Sequence, residues 1–171
     1  LNARLPERLK VGLRKVISVF TRPLAVRSSS KLEDSHYQPF AGIYSTYMVP
    51  RSSDSEKMLY MVCQAIKAVY ASVFYRSSKA YTNATQNVID EEKMGIVIQE
   101  ICGNEYGSRY LPTLSGVARS INFYPVGSEQ PFDGIASIGF GLGKLIVDGG
   151  VALRFSPKYP KKILQLASPE T

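Results

Sequence analysis

The sequence predicts an α+β fold, mainly an antiparallel sheet with two long helices. Two amphipathic helical patterns fall in the first half of the chain, and four short apolar runs separated by glycine, proline and asparagine follow. Helices grouped ahead of strands favour α+β architecture over regular βαβ winding. The 171 residues are one domain in length. We expect a helix-strand-loop-helix region over 1–90 and a strand-rich region over 91–160.

The first helix is predicted over residues 6–20. Pro6 suits the first turn of a helix, and Pro23 stops the element. The apolar residues at helical spacing are Leu5, Leu9, Leu13, Val16, Ile17 and Phe20. Residues 24–28, LAVRS, are then a short strand that enters a polar loop punctuated by Gly42.

A second helix is predicted over 56–80, where Ser53 and Glu56 have the spacing of a capping box. Its expected core face comprises Leu59, Val62, Cys63, Ile66, Tyr70, Val73 and Phe74. The segment 81–87 is a polar connection. The expected strands are 94–101, 113–124, 133–141 and 151–157.

Composition and charge exclude several classes of protein. No apolar run approaches the length of a membrane span, and no secretory leader is recognisable, so a soluble, cytoplasmic protein is expected. Cys63 and Cys102, with a single histidine in the chain, do not form a zinc pattern, and buried thiols in a reducing compartment are expected. The net charge of +7 suggests an anionic partner, but the basic residues are dispersed and no nucleic-acid motif accompanies them.

The glycine-rich stretch 139–150 fails the two standard phosphate-binding patterns. A Walker loop would need glycine and Ser or Thr where the chain has Ile138 and Leu145, and a dinucleotide fingerprint would need Gly or Ala where it has Lys144. On pattern alone the stretch is a turn. The lone His36 assembles no Ser/His/Asp or Cys/His set, so hydrolysis by a nucleophilic side chain is not expected.

Four motifs together resemble the nucleotide-binding domain of phosphoenolpyruvate synthases and pyruvate phosphate dikinases. The segment AVRSSSKLEDSHYQPFAGIYSTY is similar to the pattern A-V-R-S-S-x(3)-E-D followed by F-A-G-x(3)-T-Y. MGIVIQEICG resembles the family strand ending in V-x-V-Q-x-M. LSGVARSINFYP and GFGLGKLIVDGG resemble S-G-V-x-F-T-x-x-P and G-L-G-E-x-V-V-x-G. The motifs occur in the family's order, which makes the set more specific than any one motif.

The resemblance implies an ATP-grasp fold and assigns roles to three side chains. Arg27 would hold the triphosphate as the catalytic cation, and the alternative is a structural ion pair with Glu33 or Asp34. Thr46 would donate its hydroxyl to a phosphate oxygen, or alternatively stabilise a turn. Gln99 would bind the adenine edge, with a core glutamine bonded to backbone as the alternative.

The resemblance also implies a nucleotide-closing loop and places the metal elsewhere. Ser115 and Gly116 match the S-G-V turn, Gly141, Leu142 and Gly143 match the later loop, and Gly42 would keep its loop close to the phosphates. Lys144 stands where the family has glutamate, and this reversed charge implies either direct contact with phosphate or a subfamily with different packing of the loop. Glu33 and Asp34 are not expected to be metal ligands, and the Mg²⁺ ligands are expected outside these residues.

In this family the phosphates of ATP pass to a histidine on a swivelling domain, leaving AMP, and one phosphoryl group then reaches pyruvate. Residues 1–171 are therefore expected to be part of the ATP-binding domain, inactive alone, with the phosphohistidine and pyruvate-binding domains of a longer chain as partners. A homodimer of that longer protein is left open. An antibiotic or glucan acceptor is the alternative within the class, and a non-catalytic anion-binding module is the alternative outside it.

Overall fold

The computed structural model describes residues 2–30, 33, 44–76, 78–80, 94–143, 146 and 151–166. The chain divides into two compact units, Leu1–Cys102 (unit 1) and Gly103–Thr171 (unit 2). Every described strand pair is antiparallel. The α+β prediction is confirmed.

The first helix, α1, spans Glu7–Val19. The carbonyl of Pro6 accepts hydrogen bonds from the N–H groups of Leu9 and Lys10, so the proline starts the helix without contributing a side-chain cap. Only Leu13 and Ile17 are buried, whereas Leu9 and Val16 are exposed. The apolar stripe that meets the core is therefore narrower than the sequence pattern predicted.

The second helix, α2, spans Ser55–Ser72, and the capping prediction for its start is wrong. The N-cap is Asp54, whose Oδ1 accepts hydrogen bonds from the N–H groups of Glu56 at 2.9 Å and Lys57 at 3.1 Å. The Asp54 carboxylate accepts hydrogen bonds from two otherwise unpaired N–H groups and interacts favourably with the positive end of the helix dipole. Ser53, one residue earlier, does neither here.

The helix also ends earlier than residue 80, since the chain turns after Ser72 and helical residues resume at Arg76. The carbonyl of Ser72 accepts hydrogen bonds from the Ser78 hydroxyl at 2.7 Å and from the N–H of Tyr75 at 3.2 Å, which diverts it from the helical ladder. Tyr70 and Phe74 are exposed, so they are not core residues. The buried apolar positions of α2 are Met58, Leu59, Val62, Ala65, Ile66, Ala68 and Val69.

Unit 1 contains a three-stranded sheet in the order β2-β1-β3, made of Leu24–Ser30 (β1), Tyr47–Val49 (β2) and Met94–Glu100 (β3). Leu24 and Val26 are fully buried, and they belong to one core cluster with residues of α1 and α2. Both helices therefore cover the same face of the sheet. The opposite face of β1 carries Arg27 and Ser29, both exposed.

Unit 2 begins with a hairpin that the sequence did not predict. Its strands are Asn104–Tyr106 (β4) and Arg109–Leu111 (β5). A second sheet has the order β6-β7-β8, from Leu114–Arg119, Ile135–Phe140 and Leu153–Phe155. All three strands are shorter than predicted.

The strand predicted over 113–124 ends at Arg119 because a polar network bends the chain beyond it. The N–H of Asn122 donates to the Pro131 carbonyl at 2.8 Å, and the Asn122 Nδ2 donates to Glu129 Oε2 at 3.0 Å. Asn122 is completely buried. These bonds give the chain between β6 and β7 a fixed local structure without apolar packing.

Two further expectations are tested by burial and helix length. Cys102 is exposed just after β3, and Cys63, in the middle of α2, is half-buried at the margin of the core, so the prediction of two buried thiols is wrong. Within the described residues, no helix is both long and apolar enough to cross a bilayer.

Asp54 provides a direct test of how α2 begins. We expect Asp54→Ala to lower the free energy of unfolding by about 1 kcal/mol, because two N–H groups lose their acceptor. Urea denaturation followed by far-UV circular dichroism measures the change. The control is Ser53→Ala, for which we expect almost no change. A larger loss for Ser53→Ala than for Asp54→Ala would show that the cap is the serine.

Candidate functional site

A small cavity lies in unit 1, where β1 and β3 meet near the loop that follows β1. Its volume is about 140 Å³. Its lining residues are Arg27, Ser28, Ser29, Glu33, Val97 and Gln99. Arg27 pairs with Val97, and Ala25 pairs with Gln99, in the antiparallel register of the two strands. Directly paired residues project to the same face of a sheet, and so do residues two positions apart on one strand, such as Ala25 and Arg27. Arg27 and Gln99 therefore share the sheet face that the helices leave uncovered.

The Arg27 guanidinium is exposed and makes no ion pair with Glu33. Glu33 is held in a different way, since its Oε1 accepts a hydrogen bond from the Ser28 hydroxyl at 2.9 Å and its N–H donates to Ser30 Oγ at 3.2 Å. The alternative pairing of Arg27 with Asp34 lies outside the described residues. Arg27 is therefore a cation with no salt-bridge partner within the described part of the chain, beside a cavity.

Glu33 contributes a feature that the sequence reading did not identify. Its second carboxylate oxygen, Oε2, is buried and accepts no hydrogen bond from any described residue. Buried carboxylate oxygens are normally hydrogen-bonded, because leaving one unpaired costs stability. An acidic residue three positions beyond the end of a strand, as Glu33 is, can fold back onto that strand. The sequence pattern does not show in which direction its side chain points.

Gln99 is exposed, and its side chain makes no hydrogen bond within the described residues, so the core-glutamine alternative does not hold. The next residue fixes the end of the strand. Glu100 Oε1 accepts hydrogen bonds from the N–H of Thr21 at 2.7 Å and from the N–H of Arg22 at 3.0 Å. These two bonds attach the end of β3 to the segment that joins α1 to β1.

Thr46 is exposed and precedes β2 directly. The register pairs Val26 with Tyr47, and its continuation by one position sets Thr46 opposite Arg27. Thr46 does not line the cavity. Thr46 therefore lies outside the β1–β2 ladder, next to its last pair, and β2 is bonded to the edge of β1 opposite to the one that β3 and Gln99 occupy.

The residues of unit 2 that were predicted to bind nucleotide lie close to one another. The Ser115 hydroxyl donates to the carbonyl of Gly141 at 2.6 Å, and the N–H of Gly141 donates to the Thr113 carbonyl at 3.2 Å. Gly141 has φ +78°, a conformation that side chains disfavour. A Cβ on Gly143 would touch Ser115 Cβ at 3.4 Å. The two motifs that are separated in sequence therefore meet at the end of β7.

One prediction for this set is wrong in detail, because Ser115 and Gly116 lie within β6 rather than in a turn. A Cβ on Gly116 would lie 2.8 Å from the Ser137 carbonyl oxygen and from Ile138 Cγ2. Gly116 is therefore required by close approach of neighbouring strands. Gly42, Lys144 and His36 lie outside the described residues, and Leu142 is half-buried in the loop after β7.

Metal binding has no support from the described side chains. No three of their Asp, Glu, His or Cys residues lie close enough together to hold a metal ion. The described residues therefore do not by themselves fit a Mg²⁺ site.

The fold and its four motifs define a class of protein, the α+β nucleotide-binding domains. Residues 1–161 match the family model described as "Pyruvate phosphate dikinase, AMP/ATP-binding domain", and the chain belongs to this family. The chain is also 33% identical over 130 residues to the "Uncharacterized phosphotransferase YvkC" of Bacillus subtilis (strain 168). The matched residues are 76% of this chain and 14% of that protein, so the chain spans a small part of that relative's length. The family prediction from the motifs is confirmed.

The Glu100 attachment gives a prediction about pH. Hydrogen bonds from the backbone N–H groups of Thr21 and then Arg22 lower the pKa of the Glu100 carboxyl below its ordinary value of 4.5. A lowered folded-state pKa stabilises the fold above the ordinary value, and this contribution disappears as the pH falls through the folded-state pKa. We expect Glu100→Gln to be less stable than the wild type at pH 7, with the difference shrinking below pH 4.5.

The measurement is urea denaturation across that pH range. Glu105→Gln, at an exposed position of β4 in unit 2, is the control for removing one carboxylate. A stability difference for Glu100→Gln that persists unchanged in acid would contradict the ionic origin of the effect.

Proposed function

We propose that this chain is the ATP-binding part of a longer phosphotransferase of the pyruvate phosphate dikinase type. The observation that carries the proposal is that Arg27 and Gln99 lie on the same uncovered sheet face and line one cavity. Neither side chain has a hydrogen-bond partner among the described residues. The Bacillus subtilis relative is named as a phosphotransferase, which supports the same class of reaction.

In this proposal Arg27 holds the triphosphate of ATP. A planar guanidinium can donate two parallel hydrogen bonds to phosphate oxygens, and it keeps its charge at every physiological pH. Thr46 donates its hydroxyl to a neighbouring phosphate oxygen; it directly precedes Tyr47, which pairs with Val26, the neighbour of Arg27. Gly42 belongs to the same proposed site and keeps the intervening loop close to the phosphates.

Gln99 binds the adenine edge in this proposal. Its amide offers both a donor and an acceptor, which matches the adjacent polar atoms of adenine. Ser115, Gly141 and Gly143 shape the loop after β7, where the serine hydroxyl fixes the Gly141 carbonyl. Lys144 adds a positive charge to this loop and is proposed to contact phosphate directly.

The reaction proposed for the longer protein begins with phosphate transfer from ATP to a histidine on a swivelling domain, which leaves AMP. The phosphohistidine then passes one phosphoryl group to pyruvate. This chain's share is to position the phosphates and to neutralise their charge, which are the main sources of rate in phosphoryl transfer. Mg²⁺ accompanies ATP in such reactions, and its ligands are proposed to lie outside the described residues, which contain no group of acids that could hold it.

Substitution of Arg27 tests the proposal. We expect Arg27→Ala to weaken MgATP binding by roughly 10- to 100-fold, the effect of losing a charged hydrogen-bond donor. Thermal stabilisation by MgATP measures binding, and phosphohistidine formation in the longer protein measures function. The melting temperature without nucleotide should not change, because Arg27 is exposed and unpaired.

Arg8→Ala is the matched control, since Arg8 is an exposed residue of α1 on the helix side of the sheet. Arg27→Lys should recover only part of the affinity, because lysine keeps the charge without the planar fork. Equal losses of MgATP binding for Arg8→Ala and Arg27→Ala would mean that Arg27 acts only through net charge, and would overturn the assignment.

Gln99 should determine base preference. We expect Gln99→Ala to reduce ATP affinity by about 5- to 100-fold, because the adenine edge loses its partners, and to leave GTP affinity nearly unchanged. Titration calorimetry with the two nucleotides makes the comparison, and Gln64→Ala on α2 serves as control. Equal losses for ATP and GTP, together with a lowered melting temperature, would instead identify Gln99 as a structural residue.

A further inference from the structure

The three-stranded sheet of unit 2 has one face on which every residue is apolar. The register pairs Leu114 with Phe140, and it sets Leu153 opposite Ile138. Residues two positions apart on a strand share a face, so the same face continues through the next row of the sheet. We call it the unit 2 apolar face, and its larger side chains are Leu114, Ile138, Phe140, Leu153 and Phe155.

No residue of the unit 2 apolar face is buried. Phe140 is 81% exposed and Leu114 is 54% exposed, and the other three large side chains are half-buried. Contact between water and apolar surface is unfavourable, and contiguous apolar patches on a protein surface mark interaction sites. This face is therefore a surface that lacks a covering layer.

The opposite face of the same sheet is in contact with the start of the glycine-rich stretch. A Cβ on Gly143 would lie 3.4 Å from Ser115 Cβ, and a Cβ on Gly139 would lie 3.4 Å from Ile146 Cγ1. Ser115 pairs with Gly139, and both alternate with the residues of the apolar face. The glycine-rich stretch that is proposed to bind nucleotide therefore lies on the other side of the sheet from the unit 2 apolar face.

Unit 1 shows what covers a sheet of this kind in the same chain. Its three-stranded antiparallel sheet carries Leu24 and Val26 on one face, where α1 and α2 bury both side chains completely. Helices packed on one face of an antiparallel sheet are the usual α+β arrangement. In unit 2, the 3₁₀ helices Pro131–Asp133 and Leu164–Leu166 have three residues each, which is too short to form such a layer.

The size of the unit 2 apolar face favours a cover from the same polypeptide over a second copy. The spacings of a sheet give this face roughly 250 Å² of sheet plane. A specific dimer needs about 800 Å² from each partner. A tethered segment needs less, because joining two parts in one chain avoids most of the entropy cost of association. The Bacillus subtilis relative has room for such a segment, since the matched residues are 14% of its length.

We propose that the unit 2 apolar face docks an amphipathic α-helix of the same polypeptide, from the part of the longer phosphotransferase outside these 171 residues. This inference rests on the proposed function in one respect, that the chain is part of a longer protein. The helix contributes apolar residues at i, i+3, i+4 and i+7, and its polar side faces water. Gly116, Ala118 and Ala136 on the same face allow it to approach closely, and Leu114 and Phe140 pack against it.

Cysteine alkylation measures the cover directly. Phe140→Cys is made in a Cys63→Ser, Cys102→Ser background, both in the 171-residue chain and in the longer protein. Peptide-resolved mass spectrometry then follows alkylation of residue 140 by iodoacetamide. We expect the reaction to be roughly tenfold or more slower in the longer protein, because a covered thiol reacts only when the surface opens. Phe132→Cys, at a position that is 87% exposed and outside the sheet, is the matched control and should react equally fast in both proteins.

Leu114→Cys repeats the measurement without removing the aromatic ring of Phe140. Equal alkylation rates in the two proteins, for both Leu114→Cys and Phe140→Cys, would overturn the proposal. Protection that appears in the 171-residue chain and rises with its concentration would identify a second copy as the occupant, and would also overturn it.

A photo-crosslink identifies the occupant. With p-benzoylphenylalanine in place of Phe140, the purified longer protein should form a crosslink within one chain, to a segment with helical apolar spacing. A crosslink between two chains, or to a segment without that spacing, would contradict the proposal.

The outcome at residue 140 is independent of the nucleotide assignment. Intact MgATP binding together with an unprotected residue 140 in the longer protein would refute the docked helix and leave the proposed function standing. Protection at residue 140 together with unchanged MgATP affinity in Arg27→Ala would support the docked helix and refute the phosphate-binding role of Arg27.

Discussion

The two-residue alternation of β1 is the constraint on which the structure of unit 1 depends. Leu24 and Val26 point into the core and are completely buried, and the helices pack over them. Because successive side chains of a strand point to opposite faces, burying these two residues forces Arg27 onto the uncovered face. A one-residue slip of β1 would bury the guanidinium and expose the two aliphatic side chains, which the core contacts prohibit. The position of the proposed phosphate ligand is thus set by hydrophobic packing.

Unit 2 is organised by a different kind of interaction. None of its described apolar side chains is buried, whereas Asn122 and Ser156 are fully buried. Hydrogen bonds from Asn122 to Glu129, and the 2.8 Å ion pair between Lys158 and Asp133, hold the segments around β7. Because hydrogen bonds are directional, a polar network fixes the local geometry, although each bond contributes little net free energy. At the described start of the glycine-rich stretch, Gly141 is accordingly held by the Ser115 hydroxyl on its carbonyl and by its own N–H on the Thr113 carbonyl.

The sequence predicted both helices and the strands β1, β3, β6, β7 and β8, because each lies within an apolar run. It missed β2, β4 and β5, three residues each, which lack such a run and have too few positions to show alternation. It chose Ser53 over Asp54 because two potential caps stand side by side and only geometry distinguishes them. It identified Arg27 and Gln99 through family motifs. Their common cavity, however, depends on the register between β1 and β3, and a sequence motif does not show how two strands are aligned.

The sheet of unit 1 separates two surfaces with different chemistry. On one side, an arginine and an amide border a cavity of about 140 Å³; on the other, the groove between α1 and α2 carries the ion pairs of Lys10 with Glu7 and of Arg14 with Glu56. The core between them includes Val62 and Val69, which are fully buried, and close-packed interiors deform little. Ligands on the two surfaces can influence one another only if this layer has a second arrangement, because coupling requires two states with different affinities. With one packed arrangement, Lys10→Ala on α1 should therefore leave the effect of Arg27→Ala on MgATP affinity unchanged, and a departure from this additivity would reveal a second state of the core.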